Sequence, residues 1–284
     1  MATAHPAHRL DVLIPSYQRP VALATTLTAL FGQTIRDFAV IIADQSAPGE
    51  GLDGAELETL VRAFELRGQA VYYHRRLVRR GLAEQRHFLL SQAAAPYVLF
   101  LDDDLLLEPD VLERMLAVIE TERCGFVGMA PIGLSHLHDV RPHEQRIELW
   151  EGPVQPERYV FETVPWHRHR LHNAANPLHL GWIHARERTV RYKVAWVGAC
   201  VMFDRMKLLD AGGYAWWSEL PPEHCGEDVL AELLVMARYG GCGILPSGVY
   251  HLELPTRVPN RTHNTNDLIK KYLGTTGGNS GAEI

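Results

Sequence analysis

The strongest constraint on the fold is a set of short, predominantly apolar runs spaced like strand–helix–strand units. Leu10 to Ile14 (LDVLI) is the first, and Phe38 to Ala43 (FAVIIA) is the second, ending at Asp44. Ala70 to Tyr73 is a third, and Tyr97 to Leu101 (YVLFL) a fourth. Runs of this length without polar alternation read as strands buried on both faces. Helical stretches lie between them, from Val21 to about Phe31, Ala55 to Arg67 and Leu82 to Ala94. Strands alternating with helices at this spacing predict an α/β chain with a mostly parallel sheet and right-handed crossovers.

The fourth run is followed at once by Asp102, Asp103 and Asp104, and then by Pro109, which reads as the start of a helix. Three carboxylates at a strand's carboxyl end repel one another and resist burial. A divalent cation or a set of donors would relieve that cost. Ligands of open α/β sheets bind at such strand ends. Further on, Phe126 to Met129 reads as a strand. Gly133 to Arg191 reads as irregular, with short strands at Arg146 to Trp150 and Arg158 to Val164. Val194 to Phe203 reads as a strand broken by Gly198, Met206 to Ala211 as a short helix, and Glu227 to Tyr239 as a helix stopped by Gly240 and Gly241. The last strand begins at Ile244, with His251 just beyond it. The tail after Gly274 (TTGGNSGAEI) reads as disordered.

Composition narrows the function classes. At 284 residues and 46% hydrophobic content the chain can bury a full core. A net charge of −6 gives no reason to expect a nucleic-acid partner. The four cysteines are far apart and form no CxxC motif, so they read as buried thiols of a reducing compartment. MATAHPAHRL lacks the apolar centre of a signal peptide, and no run reaches the ~18–20 apolar residues that span a bilayer. The expectation is a cytoplasmic protein without a transmembrane segment, compatible with peripheral membrane contact. The middle segment holds eight of the fifteen histidines, but His167, His169 and His172 fit no common structural zinc spacing. It reads as a variable, acceptor-side or solvated loop.

The motifs come in a definite order: IPSYQRP after the first run, Asp44 after the second, then RRGLAEQRHFLLSQA, LFLDDD, VGACVMFDRMKLLDAGGYAWW and CGEDVLAELLVMARYGG. In that order they resemble the family 2 nucleotide-sugar glycosyltransferases with the A-type glycosyltransferase fold, over Leu10 to Met129 and Val194 to His251. The resemblance implies one domain over residues 8–274, with a Rossmann-like nucleotide-sugar half (10–130), a variable segment (131–193) and an acceptor and catalytic half (194–255), followed by the 275–284 tail. It implies an inverting transfer from a nucleoside-diphosphate sugar, UDP-sugars being favoured, to a glycan or other hydroxyl acceptor. The turn Pro15, Ser16, Tyr17, Gln18 and Arg19 would pack around base and phosphates. Asp44 would accept from a nucleobase N–H, as a carboxylate can only accept. Gly81 and Arg86 match the family's GxxxxR segment, although Arg79, Arg80 and His87 stand where the family often has Asn. Asp102 and Asp103 would face the nucleotide. Asp104, with Asp102 and His251, would ligate Mn²⁺ or Mg²⁺. Asp228 would be the general base, and Glu227 would hold a neighbouring acceptor hydroxyl. Trp216 and Trp217 would stack on the acceptor.

Each residue has a plainer reading: a turn aspartate at Asp44, helix-start carboxylates at Glu227 and Asp228, core packing for the tryptophans. Two enzyme rivals fit less well. A nucleotidyltransferase wants a Gly-rich, basic loop after the first strand, where this chain has PSYQRPVAL. A phosphatase of the strand-end DxD type carries its motif on the first strand, commonly with a following Thr. A catalytically silent sugar-nucleotide-binding protein is the third alternative, and it leaves the intact DxD and ED pairs without a use.

Overall fold

A computed structural model describes residues 8–51, 53–159, 165–186, 188–258 and 261–274. The predicted tail and the end of the predicted 158–164 strand lie outside them. The strands are β1 (Leu10–Ser16), β2 (Phe38–Asp44), β3 (Val71–Arg75), β4 (Tyr97–Leu101), β5 (Leu105–Leu107), β6 (Phe126–Gly128), β7 (Val190–Tyr192), β8 (Cys200–Asp204), β9 (Gly241–Leu245) and β10 (Val249–His251). The α-helices are α1 (Pro20–Phe31), α2 (Ala55–Leu66), α3 (Leu82–Gln92), α4 (Val111–Glu122), α5 (Asn176–His184), α6 (Arg205–Asp210), α7 (Glu227–Tyr239) and α8 (Asn266–Leu273). None of the described helices is long and apolar enough to cross a membrane.

Eight strands form one sheet in the order β3-β2-β1-β4-β8-β6-β9-β7. It is mostly parallel, with only β8 and β7 running against their neighbours. Side chains of a strand alternate between faces, and the core divides accordingly. Leu13, Ile41, Val98, Phe100 and Phe203 face α3, α6 and α7. Val12, Ile14, Val40, Ile42, Leu99 and Met202 face α1, α2 and α4. That double burial is why the second and fourth strands read as unbroken apolar runs, and why the first is interrupted only by Asp11, whose buried carboxylate accepts from Ala94 N and Ala95 N. Pro15 is tolerated because the Ser16 carbonyl turns toward β2, accepting from Gln45 N at 3.0 Å. Pro15 therefore faces the β4 side, beyond Leu13, the last residue paired there.

The second half departs from expectation in several places. Strand β8 starts at Cys200, not Val194, because Gly198 and Ala199 take positive φ of 72° and 55° and the backbone turns before pairing begins. The middle segment contains α5 and short 3₁₀ turns at Leu134–His136 and Pro142–Glu144. The predicted strand at 146–150 is reduced to one bridge, Leu149 to Tyr192. The final strand is two: β9 closes at Leu245, and β10 pairs antiparallel with β5, a three-residue strand absent from the sequence reading. His251 thus ends β10 opposite Leu105, and α4 begins at Val111, two residues after Pro109.

Candidate active site

The chain runs outward from β1 to β2 and β3, then returns to place β4 on the other side of β1. Neighbouring loops leave in opposite directions at that switch point, opening a crevice above the strand ends. The Asp102–Asp104 turn fills it. The buried Thr26 hydroxyl of α1 donates toward the carbonyls of Asp103 and Leu105 (3.0 and 2.9 Å) and accepts from Leu105 N (3.1 Å). On the other side Leu252 N donates to Asp104 O at 2.9 Å, so β10 closes the turn.

The three carboxylates face different partners. Asp102 Oδ1 accepts from Arg86 Nη2 at 3.1 Å. Asp103 accepts from Ser16 Oγ (2.6 Å) and Arg19 Nη1 (3.3 Å). Asp104 Oδ2 accepts from the same Arg19 nitrogen at 2.6 Å and lies 3.6 Å from His251 Nε2. Burial pushes both Asp102 and Asp103 up to about 6, with Asp104 adding repulsion. Asp102 keeps 36% of its side chain open, so cleft water tempers that push. Among the described residues no group of three His, Cys, Asp or Glu side chains is arranged as a metal cage. Asp104 and His251 still offer an oxygen and an imidazole nitrogen to one point. Two such ligands completed by substrate oxygens and water suit Mg²⁺ or Mn²⁺. Arg19 is the positive charge that the chain itself keeps at that corner.

Helix α7 begins beside this turn. Arg86, on α3 and 3% exposed, joins the two acidic motifs: Nη2 reaches Asp102, and Nε donates to Glu227 Oε1 at 3.1 Å. Glu227 is buried, and burial followed by the Asp228 charge pushes it up to about 7. Asp228 is half-buried, and its Oδ1 accepts from Val229 N at 2.8 Å. One turn on, burial pushes Glu232 up to about 8 against the pull of two backbone donors, Val197 and Gly198. The usual value for both glutamates is 4.5. The folded chain therefore holds protons that the unfolded chain has released. That contribution to stability is full below 4.5 and is lost as pH rises through about 7 and 8. The thermal midpoint of the ligand-free protein is expected to fall by several degrees between about pH 6 and about pH 8.5. A flat or rising profile would show these glutamates ionising freely.

Gly81 opens α3 at φ 99°, where a Cβ would stand 2.4 Å from His224 Cε1 and 2.7 Å from the Pro222 carbonyl. His224 Nδ1 donates to Pro221 O (2.7 Å), leaving Nε2 to accept from Ala83 N (3.1 Å). The loop before α7 thereby caps α3. Gly81→Ala is expected to cost about 3 kcal/mol from the left-handed backbone plus the clash. Gly68→Ala, at φ 77° but in open space, should cost about 1–2 kcal/mol. Equal shifts in urea midpoint would show that the His224 contact does not matter.

A cavity of about 480 Å³ lies over these groups, within the range of small-molecule sites. Pro15, Tyr17, Arg19 and Gly81 line its wall, and Asp102, Asp103, Asp104 and His251 its floor. Arg79, one of the residues departing from the expected pattern, also lines it and stacks 3.8 Å over the Tyr17 ring. Other predicted residues stand behind the walls. Asp44 is fully buried, its Oδ1 accepting from Ser46 N and Oγ (2.8 and 2.5 Å) and its Oδ2 from Tyr73. Trp216 is buried against Tyr214, with ring centroids 5.7 Å apart, and half-buried Trp217 packs on the same cluster. Sequence reasoning missed Thr26, His224, Glu232 and also Gln85, whose amide ties the Ser16 and Ala43 carbonyls together (3.1 and 2.5 Å). All four are polar residues buried beside the motifs, a property that the sequence pattern alone does not display.

The sequence model of the family described as glycosyl transferase family 2 matches residues 11–188. Validoxylamine A glucosyltransferase of Streptomyces hygroscopicus subsp. jinggangensis is 30% identical over 174 residues, 58% of this chain and 38% of that protein. An uncharacterized glycosyltransferase of Haemophilus influenzae is 30% identical over 111 residues, 39% of this chain and 34% of that one. The chain thus spans a little over a third of the length of the curated relatives it matches. Among solved structures, S. aureus TarS 1–349 in complex with UDP-GlcNAc superposes with a TM-score of 0.53 at 15% identity, over 88% of this chain and 60% of that one. The mannosyltransferase PcManGT from Pyrobaculum calidifontis, in complex with GDP-Man and Mn²⁺, gives 0.51 at 18%, over 84% and 57%.

Proposed function

The chain belongs to glycosyl transferase family 2, and on that premise we propose that it moves a sugar from a nucleoside-diphosphate sugar to an acceptor hydroxyl with inversion at the anomeric carbon. Its architecture is the A-type glycosyltransferase fold. The observation that carries the reading is the Arg86 bridge, which ties the aspartate turn of the crevice to the helix start bearing Glu227 and Asp228. Asp228 takes the proton from the acceptor hydroxyl as that oxygen bonds to the anomeric carbon. The bond to the diphosphate breaks in the same displacement, and the nucleoside diphosphate leaves. Tyr17, with Arg79 stacked on it, offers a flat face to the nucleobase. Asp104 and His251, with Asp102 alongside, would hold Mn²⁺ or Mg²⁺. When bound, such a cation neutralises charge on the departing diphosphate.

UDP-sugars are the favoured donors, and the solved TarS complexes with UDP-GlcNAc and UDP support that choice. GDP-Man, bound by PcManGT, is the comparison donor. The test is thermal unfolding with UDP, GDP, UDP-GlcNAc and GDP-Man, each with and without Mn²⁺. A uridine ligand at about 100 times its dissociation constant should add about 2.7 kcal/mol of stability. No shift with any of them would overturn the reading. In the same assay Asp104→Asn is expected to lose the Mn²⁺-dependent part of the shift while its ligand-free midpoint stays within a few degrees. An unchanged Mn²⁺ increment would move the metal to other ligands.

A further inference from the structure

Glu232 lies on α7 one turn beyond Asp228, is fully buried, and lines no part of the cleft. With no water at hand, the oxygens of its carboxyl group require partners within the protein. It has two from successive residues: Val197 N donates to Oε2 at 2.6 Å and Gly198 N to Oε1 at 2.8 Å. Two consecutive backbone N–H groups thus hold both oxygens of the one carboxyl group. The turn to which they belong is unusual. Gly198 and Ala199 both have positive φ, and Cys200 N donates back to Gly198 O at 2.5 Å. For an alanine that conformation costs about 1–2 kcal/mol, so it persists only where its surroundings hold it.

The far side of this turn meets both halves of the site. Ala199 O accepts from Asp102 N at 2.8 Å. A methyl group on Gly198 would stand 2.8 Å from Asp228 Oδ2. Glu232, the turn, the first aspartate of the triplet and Asp228 are therefore one connected unit. An apolar residue at 232 would suit the core but would leave two buried N–H groups without partners.

Resting on the reading of Asp228 as general base, we propose that Glu232 is a positioning residue for the transfer reaction. Through the Val197–Cys200 turn it sets where the Asp228 carboxylate stands and holds the backbone of Asp102.

Glu232→Gln keeps the side chain's volume but turns one acceptor into a donor facing a backbone N–H. The first readout is the amide resonances of Asp102 and Val229 in the ligand-free protein. Both should shift in the variant, and if neither moves the proposal fails. This readout needs no donor, so it decides the matter even if no sugar nucleotide is turned over. The second readout is release of nucleoside diphosphate from UDP-GlcNAc and from GDP-Man, with water as acceptor. Displacing a catalytic group by an ångström can cost about 10²-fold. Turnover should fall about 10- to 100-fold with the donor's dissociation constant unchanged. In an Asp228→Asn background the same substitution should cost less than about threefold, since coupled residues are not additive. A full additive loss there would reject action through Asp228. Gly198→Ala, which pushes on Asp228 directly, should reproduce the turnover-only loss if Glu232→Gln does not fold. A fully active Asp228→Asn would instead overturn the general-base reading, a failure distinct from that of Glu232.

Discussion

Asp228→Asn is expected to lose sugar transfer by about 10²–10⁴-fold while keeping donor affinity. The asymmetry follows from where the carboxylate stands. It lies at the start of α7, half-buried and outside the cleft lining that carries Asp102, Asp104 and His251. Its charge nevertheless reaches Asp102, where it adds to the upward push of burial. On the proposed reading, a base so placed would serve the acceptor oxygen and not the nucleotide. Amide for carboxylate removes the proton acceptor and keeps the shape. Saturating donor with varied acceptor should therefore show the loss in the maximal rate. Glu227 is next in line as base if turnover survives, but its Oε1 is already committed to Arg86.

Arg86→Leu is expected to destabilise the fold by about 3–5 kcal/mol, because it strands two carboxylates rather than because it removes a favourable pair. Arg86 is 3% exposed and answers Asp102 and Glu227 through different nitrogens. Lysine, with one ammonium centre, cannot reproduce that fork, so Arg86→Lys should recover only part of the loss. The deficit should shrink at acid pH. Glu227 already sits at about 7 with the guanidinium in place, and without it the carboxyl takes a proton still more readily. Urea unfolding at about pH 5 and about pH 8 checks this. A deficit equal at both would mean that packing against Phe100, whose ring lies 5.5 Å from the guanidinium, is the dominant loss.

The parts of the molecule legible in its sequence share one physical property: burial repeated at a regular period. β1, β2 and β4 are covered on both faces, so their apolar runs stand out. Helix α7 was bounded at Glu227 and Tyr239 because glycines stand at both ends. The aspartate triplet was visible as a charge cluster against an apolar run. What escaped depends on contacts between distant residues. Val194 to Ala199 has a strand's composition, but Glu232, some 34 residues away, captures its N–H groups and the chain turns. The resemblance marks Arg86 only as the end of a GxxxxR segment, and nothing in that motif shows that its side chain links segments 141 residues apart. Trp216 looked like a surface platform, and core packing claimed it. The spacing of Asp228 and Glu232, four apart on one helix face, was the available clue to the buried glutamate.

The β5–β10 ladder has a consequence for how the protein comes into being. β5 is completed by residues that lie more than 140 positions later, as in the pairing of Tyr250 with Leu106 and the contact of Tyr250 with Glu108. During synthesis the aspartate turn emerges early but keeps an open strand edge until residues 249–251 follow. Long-range pairings of this kind form slowly, and unpaired edges invite other chains. Nascent or truncated forms ending before β10 therefore carry a sticky, half-built crevice, and the same three residues that deliver His251 also seal it.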